Sequence, residues 1–392
     1  MKADDRYVSF AEGVVYRGLE TPHLFHVRRD ELYELDEDGL GFLDEVDGSR
    51  RASEIENREL LAFADSEGLL QYTEGPIKRQ LMRGSSPLPS LRYLELILTL
   101  RCNLRCRHCY LDEPRPVDMD PGLLLNVVSE FDRMQGLRLL VSGGEPLLYP
   151  DRDRLRDMLL GRGYRVVLLT NGLLLDRAML EYLPVHEVQV SIDGLEKGHD
   201  ALRGPGTFAR AVEAARRVAK SGKDLSMATM IHAGNEDEME GLEKLVRDLG
   251  AREWSLEVPT ETGRWTKPDE FSLPLEKAGV LISRGFGGSY HGSSGGYACG
   301  RHLAAVMPGG EVLSCGFYPD APLGRVQEGG LRKAWKRKRV PAVSELDWCK
   351  DCAMVEECGG GCRYRARGPG PDPVMCAAYG WPRGRPKGYD RD

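Results

Sequence analysis

The chain has 392 residues, a net charge of −7, 41% hydrophobic and 29% charged residues. That length supports two or three domains with a sizeable core, and the acidic balance argues against nucleic acid as the main partner. The opening MKADDRYVSF lacks a basic segment followed by an apolar run, and no stretch of about 18 apolar residues marks a membrane span, so neither a secretory signal nor a membrane is expected.

Residues 1–84 read as a small α+β block. Two β-rich runs, 14–18 and 24–35, form a meander; residues 40–46 and 59–64 are short amphipathic helices; residues 68–72 are a last strand. The segment 85–90, SSPLPS, is a Pro/Ser-punctuated linker. From 91 to 290 the pattern alternates. Strands are predicted over 93–99, 137–141, 164–170, 187–192, 224–231 and 253–258, with helices over 122–134, 151–162, 176–183, 208–221 and 236–249. A run of βα units predicts a parallel sheet with right-handed crossovers. Six units are too few for a closed eight-stranded barrel, so a partial TIM-like (β/α)6 barrel is expected. Gly- and Ser-rich residues 285–296 mark the next boundary, a cysteine-rich block fills 297–380, and 381–392 is a flexible tail. The basic run 333–339, KAWKRKR, reads as a solvated helix face.

The ten cysteines carry the chemistry. Cys102, Cys106 and Cys109 form C-x3-C-x2-C just after the first strand of the alternating region. Cys299, Cys315, Cys349, Cys352, Cys358, Cys362 and Cys376 crowd the last quarter. Thiolates are soft ligands for iron in Fe–S clusters, and three on one loop leave the fourth iron of a cubane open. A signal-free chain with such spacings points to metal and a reducing cytoplasm rather than disulfides. The C-x3-C-x2-C motif alone also fits a structural zinc. A zinc ribbon would account for Cys349, Cys352, Cys358 and Cys362 but leave Cys299, Cys315 and Cys376 unexplained.

The strand ends agree on one rim. The second strand ends in Ser142-Gly143-Gly144-Glu145-Pro146, the third in Thr170-Asn171-Gly172, the fourth in Ser191-Ile192-Asp193-Gly194. In parallel βα folds the carboxyl ends of strands face the ligand. Glycines there admit close backbone approach, and carboxylates and amides satisfy amino and hydroxyl groups. Glu257, ending the sixth strand, faces the same rim as an acid/base candidate.

C-x3-C-x2-C followed by Tyr110, GGEP, TNG and SIDG resembles the radical S-adenosylmethionine (SAM) superfamily over about residues 91–290. The resemblance implies that Cys102, Cys106 and Cys109 hold a 4Fe–4S cluster whose open iron chelates SAM. It implies that Gly143, Gly144 and Glu145 receive the SAM amino group, that Asn171, Ser191 and Asp193 line its pocket near the ribose or carboxylate, and that Arg203 pairs with the carboxylate. Asn235 is a weaker candidate of the same kind. The last seven cysteines resemble the SPASM extension of radical SAM enzymes that modify peptides and proteins. That likeness implies two auxiliary 4Fe–4S clusters, on Cys349, Cys352, Cys358 and Cys376 and on Cys299, Cys315 and Cys362, the latter with an open iron or a non-thiolate ligand such as His302. Residues 1–84 loosely resemble the winged-helix-like peptide-recognition domain of peptide maturases, in which a substrate leader adds a strand to a sheet edge. The implied activity is reductive SAM cleavage to a 5′-deoxyadenosyl radical and oxidative modification of a peptide or protein, with a flavodoxin- or ferredoxin-type electron donor. A maturase of a tetrapyrrole or of a metal-cofactor oxidoreductase is the alternative enzyme, and a non-enzymatic Fe–S electron carrier is the alternative class. A carrier needs no SAM pocket, which speaks against it.

Overall fold

The computed structural model describes residues 6–266, 270–287, 296–318, 322–367 and 370–380. The expected flexible tail, and most of the Gly/Ser boundary, lie outside the described residues.

The first block comprises β1 (Tyr7–Phe10), β2 (Val14–Gly18), β3 (Pro22–His26), β4 (Glu31–Glu34), α1 (Glu37–Glu45), β5 (Asp47–Arg51), α2 (Arg58–Ser66) and β6 (Leu70–Thr73). Two antiparallel sheets form, ordered β5-β1-β6 and β2-β3-β4. Strands β1 and β5 escape the sequence pattern; β5, DGSRR, has no apolar alternation and exists because it pairs with β1. Asp36 and Asn57 cap α1 and α2 by accepting from Gly39 and Leu60. Their apolar faces close on Val8, Phe10 and Leu69, with Phe10 and Phe42 edge to face at 6.2 Å.

The second block runs β7 (Tyr93–Ile97), α3 (Pro121–Arg133), β8 (Arg138–Ser142), α4 (Arg152–Leu159), β9 (Arg165–Thr170), α5 (Arg177–Tyr182), β10 (Glu187–Ser191), α6 (Glu196–Arg203), α7 (Thr207–Ala219), β11 (Asp224–Met230), α8 (Met239–Asp248), β12 (Glu253–Glu257) and α9 (Leu275–Ile282). Each predicted strand is present within two residues. Strands β7 to β12 lie side by side in chain order and all parallel. Alternation splits the sheet's faces. Leu94, Leu96, Leu139, Val141, Val166 and Val188 pack into the apolar core with α3, α4, α5 and α7. Their neighbours Glu95, Leu140 and Gln189 face a cavity on the other side.

The third block adds β13 (Leu303–Val306), β14 (Glu311–Leu313), β15 (Pro322–Arg325), α10 (Leu331–Trp335), α11 (Val355–Cys358) and α12 (Pro373–Ala378). It extends the same sheet: β13 pairs parallel to β7, then β14 and β15 follow antiparallel. The basic run 333–339 keeps a solvated face, with Lys333, Lys336, Arg337 and Arg339 exposed, and departs from that reading at Lys338. Helix α10 ends at Trp335, Ala334 and Trp335 are buried against the core, and Lys338 is buried after it. Ala334 and Trp335 form the inward side of the segment.

The first block is fastened to the amino ends of the parallel strands. Arg165, the first residue of β9, is fully buried; it pairs with Glu187 and Asp224, which open β10 and β11, and donates to the Arg28 carbonyl at 2.7 Å. Asp30, in the β3–β4 turn, accepts from Arg138. The cysteines therefore hang from the opposite end of the sheet.

Candidate cofactor and cluster site

A cavity of about 730 Å³ covers the concave face, between the first cysteine loop and the cysteine-rich block. Its lining includes Cys102, Cys106 and Cys109 on one side and Cys299, Cys315 and Cys362 on the other. All ten cysteines are free thiols. They fall into three neighbourhoods. Burial raises Cys102 to about 12, and Cys106 and Cys109 are among the charges acting on it. Burial raises Cys315 to about 12, followed by the nearby Cys362 thiol; Cys299 is raised likewise, by burial and then by Cys362 and Cys315. Burial again raises Cys376 to about 12, with Cys358, Cys349 and Cys352 as its thiol neighbours. The thiols of each group are neighbours without converging on one point. Among the described residues no three His, Cys, Asp or Glu side chains surround a single ion, and cluster ligands each bind a different iron. A thiol binds iron only as the thiolate, so iron loading at such thiols would be pH-dependent.

The GGEP loop is bonded to the first cysteine loop. Gly144 N–H donates to the Thr99 carbonyl and Glu145 N–H to that of Arg101, both at 2.8 Å. The approach is so close that a Cβ on Gly144 would lie 2.5 Å from the Arg101 oxygen. Gly143 has φ +153°, and a Cβ there would meet the Thr99 carbonyl at 2.6 Å. Both glycines line the cavity. The Glu145 side chain turns behind them, accepting from Thr170 Oγ1 at 2.8 Å and from the Asn171 N–H at 2.9 Å. Burial raises its carboxyl to about 7 despite those donors. Glu145 thus joins the GGEP loop to the TNG turn. Asn171 reaches the cavity, and its Nδ2 donates to Asn103 Oδ1 of the cysteine loop at 2.8 Å.

Ser191 lines the cavity at the end of β10, and Asp193 beyond it is fully buried. Asp193 accepts from the Met230 N–H at 2.8 Å and pairs with Arg203 from α6. Burial opposes the Asp193 charge, but the Arg203 guanidinium holds it well below the usual carboxylate range. Arg203 is thereby a buried cavity residue beside Cys106. Asn235 is fully buried as a brace, donating to the Asp193 and Met230 carbonyls at 2.8 and 2.9 Å. His302 belongs to the interior between blocks, with Nδ1 2.8 Å from the Ser90 carbonyl oxygen, so the structure gives it a packing place rather than one on the cavity. Glu257 lines the cavity and is paired with Arg365 at 2.6 Å.

Four residues were missed by sequence reading. His108, inside the cysteine motif, is buried in the cavity wall 3.9 Å from Asp193, and burial lowers it to about 3, leaving a neutral ring. Its Nδ1 has no partner among the described residues. Arg365 and Asp372 form a buried pair that also receives the Cys362 N–H at 2.8 Å. Lys338 borders Cys299 and Cys315. Only His108 had a positional signal, its place between two cysteines.

Residues 96–249 match the model of the radical SAM superfamily. The chain carries a radical SAM domain. It is 28% identical over 329 residues to the mycofactocin maturase MftC of Mycobacterium ulcerans, covering 73% of this chain and 88% of the relative. It is 29% identical over 304 residues to the PqqA peptide cyclase of Gluconobacter oxydans, covering 69% and 84%. Its fold is similar to that of Streptococcus suis SuiB bound to the precursor peptide SuiA, with a TM-score of 0.65, 16% identity, and coverage of 93% of this chain and 98% of that one. A radical SAM enzyme carries a 4Fe–4S cluster and SAM, and this cavity fits both. Three thiols, that of Cys106 buried and those of Cys102 and Cys109 partly so, hang from one loop, two glycines leave room for a ligand's polar groups, and the orphaned His108 Nδ1 is a polar atom awaiting a partner. No helix among the described residues is long and apolar enough to cross a membrane.

Proposed function

We propose that this enzyme oxidatively modifies a peptide or protein, by crosslinking or by dehydrogenating a side chain. The observation that carries the reading is one continuous cavity reaching from the Cys102 group to the Cys299 group. A substrate in it would be within reach of both. The maturase and the peptide cyclase among the relatives support the substrate class.

In this reading residues 91–290 are an open (β/α)6 barrel, residues 297–380 a SPASM domain, and residues 1–84 a winged-helix-like peptide-recognition domain. The enzyme carries three 4Fe–4S clusters: on Cys102, Cys106 and Cys109; on Cys299, Cys315 and Cys362; and on Cys349, Cys352, Cys358 and Cys376. The first cluster with SAM supplies a 5′-deoxyadenosyl radical when an external flavodoxin- or ferredoxin-type protein delivers an electron. The chain's own residues orient and shield. Gly143 and Gly144 leave their backbone open to the SAM amino group, with Glu145 fixing the loop that presents it. Asn171 and Ser191 face the ribose side, and Arg203, held by Asp193, offers its guanidinium to the carboxylate. The cavity walls exclude water from the reacting atoms. Free thiols throughout fit a reducing cytoplasm.

The test is anaerobic turnover of the reconstituted full-length enzyme with SAM, a reductant and the short peptide encoded beside its gene. Formation of 5′-deoxyadenosine together with loss of hydrogen mass from the peptide is expected. SAM cleavage that leaves the peptide unaltered while a porphyrin substrate changes mass would transfer the reading to tetrapyrroles.

A further inference from the structure

Lys338 is 5% exposed, and no carboxylate pairs with it among the described residues. Its Nζ donates to the Ser314 carbonyl at 2.8 Å and to the Leu303 carbonyl at 3.1 Å. These two carbonyls flank β13 and Cys315 and fix the ammonium at the cavity wall. The Trp335 ring centroid stands 5.7 Å away. A Cβ built on Gly300, next to Cys299, would lie 3.7 Å from Nζ, so the ammonium is close to the backbone on both sides of this thiol group. A buried ammonium is costly unless an anion compensates it. Carbonyl dipoles provide part of that compensation. The groups nearest to it that can become anionic are Cys299 and Cys315.

We propose that Lys338 is the buried counter-cation of the cluster held by Cys299, Cys315 and Cys362, and that its charge raises the reduction potential of that cluster. This rests on the three-cluster reading above. A cubane bound by three thiolates is net negative and gains a further negative charge on reduction. A fixed positive charge beside it in a low-dielectric wall stabilises the reduced form more than the oxidised form. The residue positions charge and touches no substrate. Its effect would make this cluster the better electron acceptor of the set.

The test uses reconstituted full-length Lys338→Met and Lys338→Arg, with iron counts and EPR-monitored redox titration. Wild type compared with a Cys299→Ala/Cys315→Ala/Cys362→Ala variant first identifies the signal. If iron and EPR are the same in these two, the cluster reading itself fails, separately from the role of Lys338. With the signal identified, Lys338→Met is expected to shift that cluster's oxidised-to-reduced ratio about tenfold toward oxidised at fixed potential, ~59 mV for one electron. The other two clusters should not move, and Lys338→Arg should restore the wild-type value. An unchanged or raised potential in Lys338→Met overturns the proposal. If Lys338→Met fails to load this cluster, loading at wild-type potential in Lys338→Arg supports it, and failure of both variants assigns Lys338 to packing. A raised KM for the peptide with an unmoved potential reassigns the ammonium to a substrate carboxylate.

Discussion

Cys106 is the buried member of the first thiol group, packed beside the Arg203–Asp193 pair. Cys106→Ala should abolish 5′-deoxyadenosine formation and remove about four irons. The remaining iron should persist, because the other seven cysteines occupy separate neighbourhoods. Retention of all iron in that variant would contradict the assignment. Gly144 makes a sharper probe of geometry. Its Cβ would meet the backbone oxygen of Arg101, which cannot rotate away, so Gly144→Ala must push the cysteine loop and the GGEP loop apart. Displacements of ~1 Å at reacting atoms reduce turnover on the order of 10²-fold. We expect that loss in SAM cleavage with an unchanged far-UV spectrum. These two positions were legible because spacing and glycine pairs are local signals. His108, Lys338, Arg365 and Asp372 were not. Each acquires its role from a partner on another element, and a single sequence carries no record of such encounters.

Helix α12 begins on Asp372, which accepts from the Val374 N–H at 3.0 Å and from the Cys362 N–H at 2.8 Å while pairing with buried Arg365. Arg365 reaches on to Glu257 at the end of β12. Arg365, held between these two carboxylates, therefore ties the cysteine-rich block to the rim of the sheet. Asp372→Asn leaves Arg365 with Glu257 as its counter-charge and removes one of its two carboxylate partners, a change that should cost less than the ~3–5 kcal/mol of a buried pair broken outright. Limited proteolysis should then cut first within 340–380, and the iron of the last four cysteines should be lost before that of Cys102, Cys106 and Cys109. At the amino end of β12, burial raises Glu253 to about 7, with Glu187 adding to the effect. A carboxyl raised above its usual 4.5 favours the folded state while protonated, so its contribution is present below about 4.5 and is lost as pH rises through about 7. Glu253→Gln should raise the melting temperature by more at pH 8 than at pH 5; an equal change at both would refute it. The strands and helices predicted for the second block lie within three residues of those observed, because apolar periodicity is regular, and Asp120, Asp151 and Asp176 cap three of these helices; α6 and α9 were not predicted. The short β1 and β5 were not: β1 has only Val8 and Phe10 to mark it, too short a pattern to read, and the edge strand β5 is set by its pairing with β1.

Across the whole molecule, β13 joins β7 directly, so the strand leading to Cys102 and the strand leading toward Cys315 are neighbours in one sheet. The sequence separates them by some two hundred residues, and a composition shift at 285–296 reads as a boundary that the hydrogen bonds then bridge. The first block, by contrast, is locked at the far end by Arg165. A peptide gripped there must travel the length of the strands before any of its atoms reaches the thiols. A strand of six residues, such as β9, measures ~20 Å. An extended chain needs about six residues for that distance, and the path around the outside is longer. The enzyme would thus act as a ruler. Deleting residues from a substrate until fewer than about six separate the gripped segment from its target should extinguish modification while leaving binding intact. Lengthening the same tether should be tolerated, because added slack is entropically cheap.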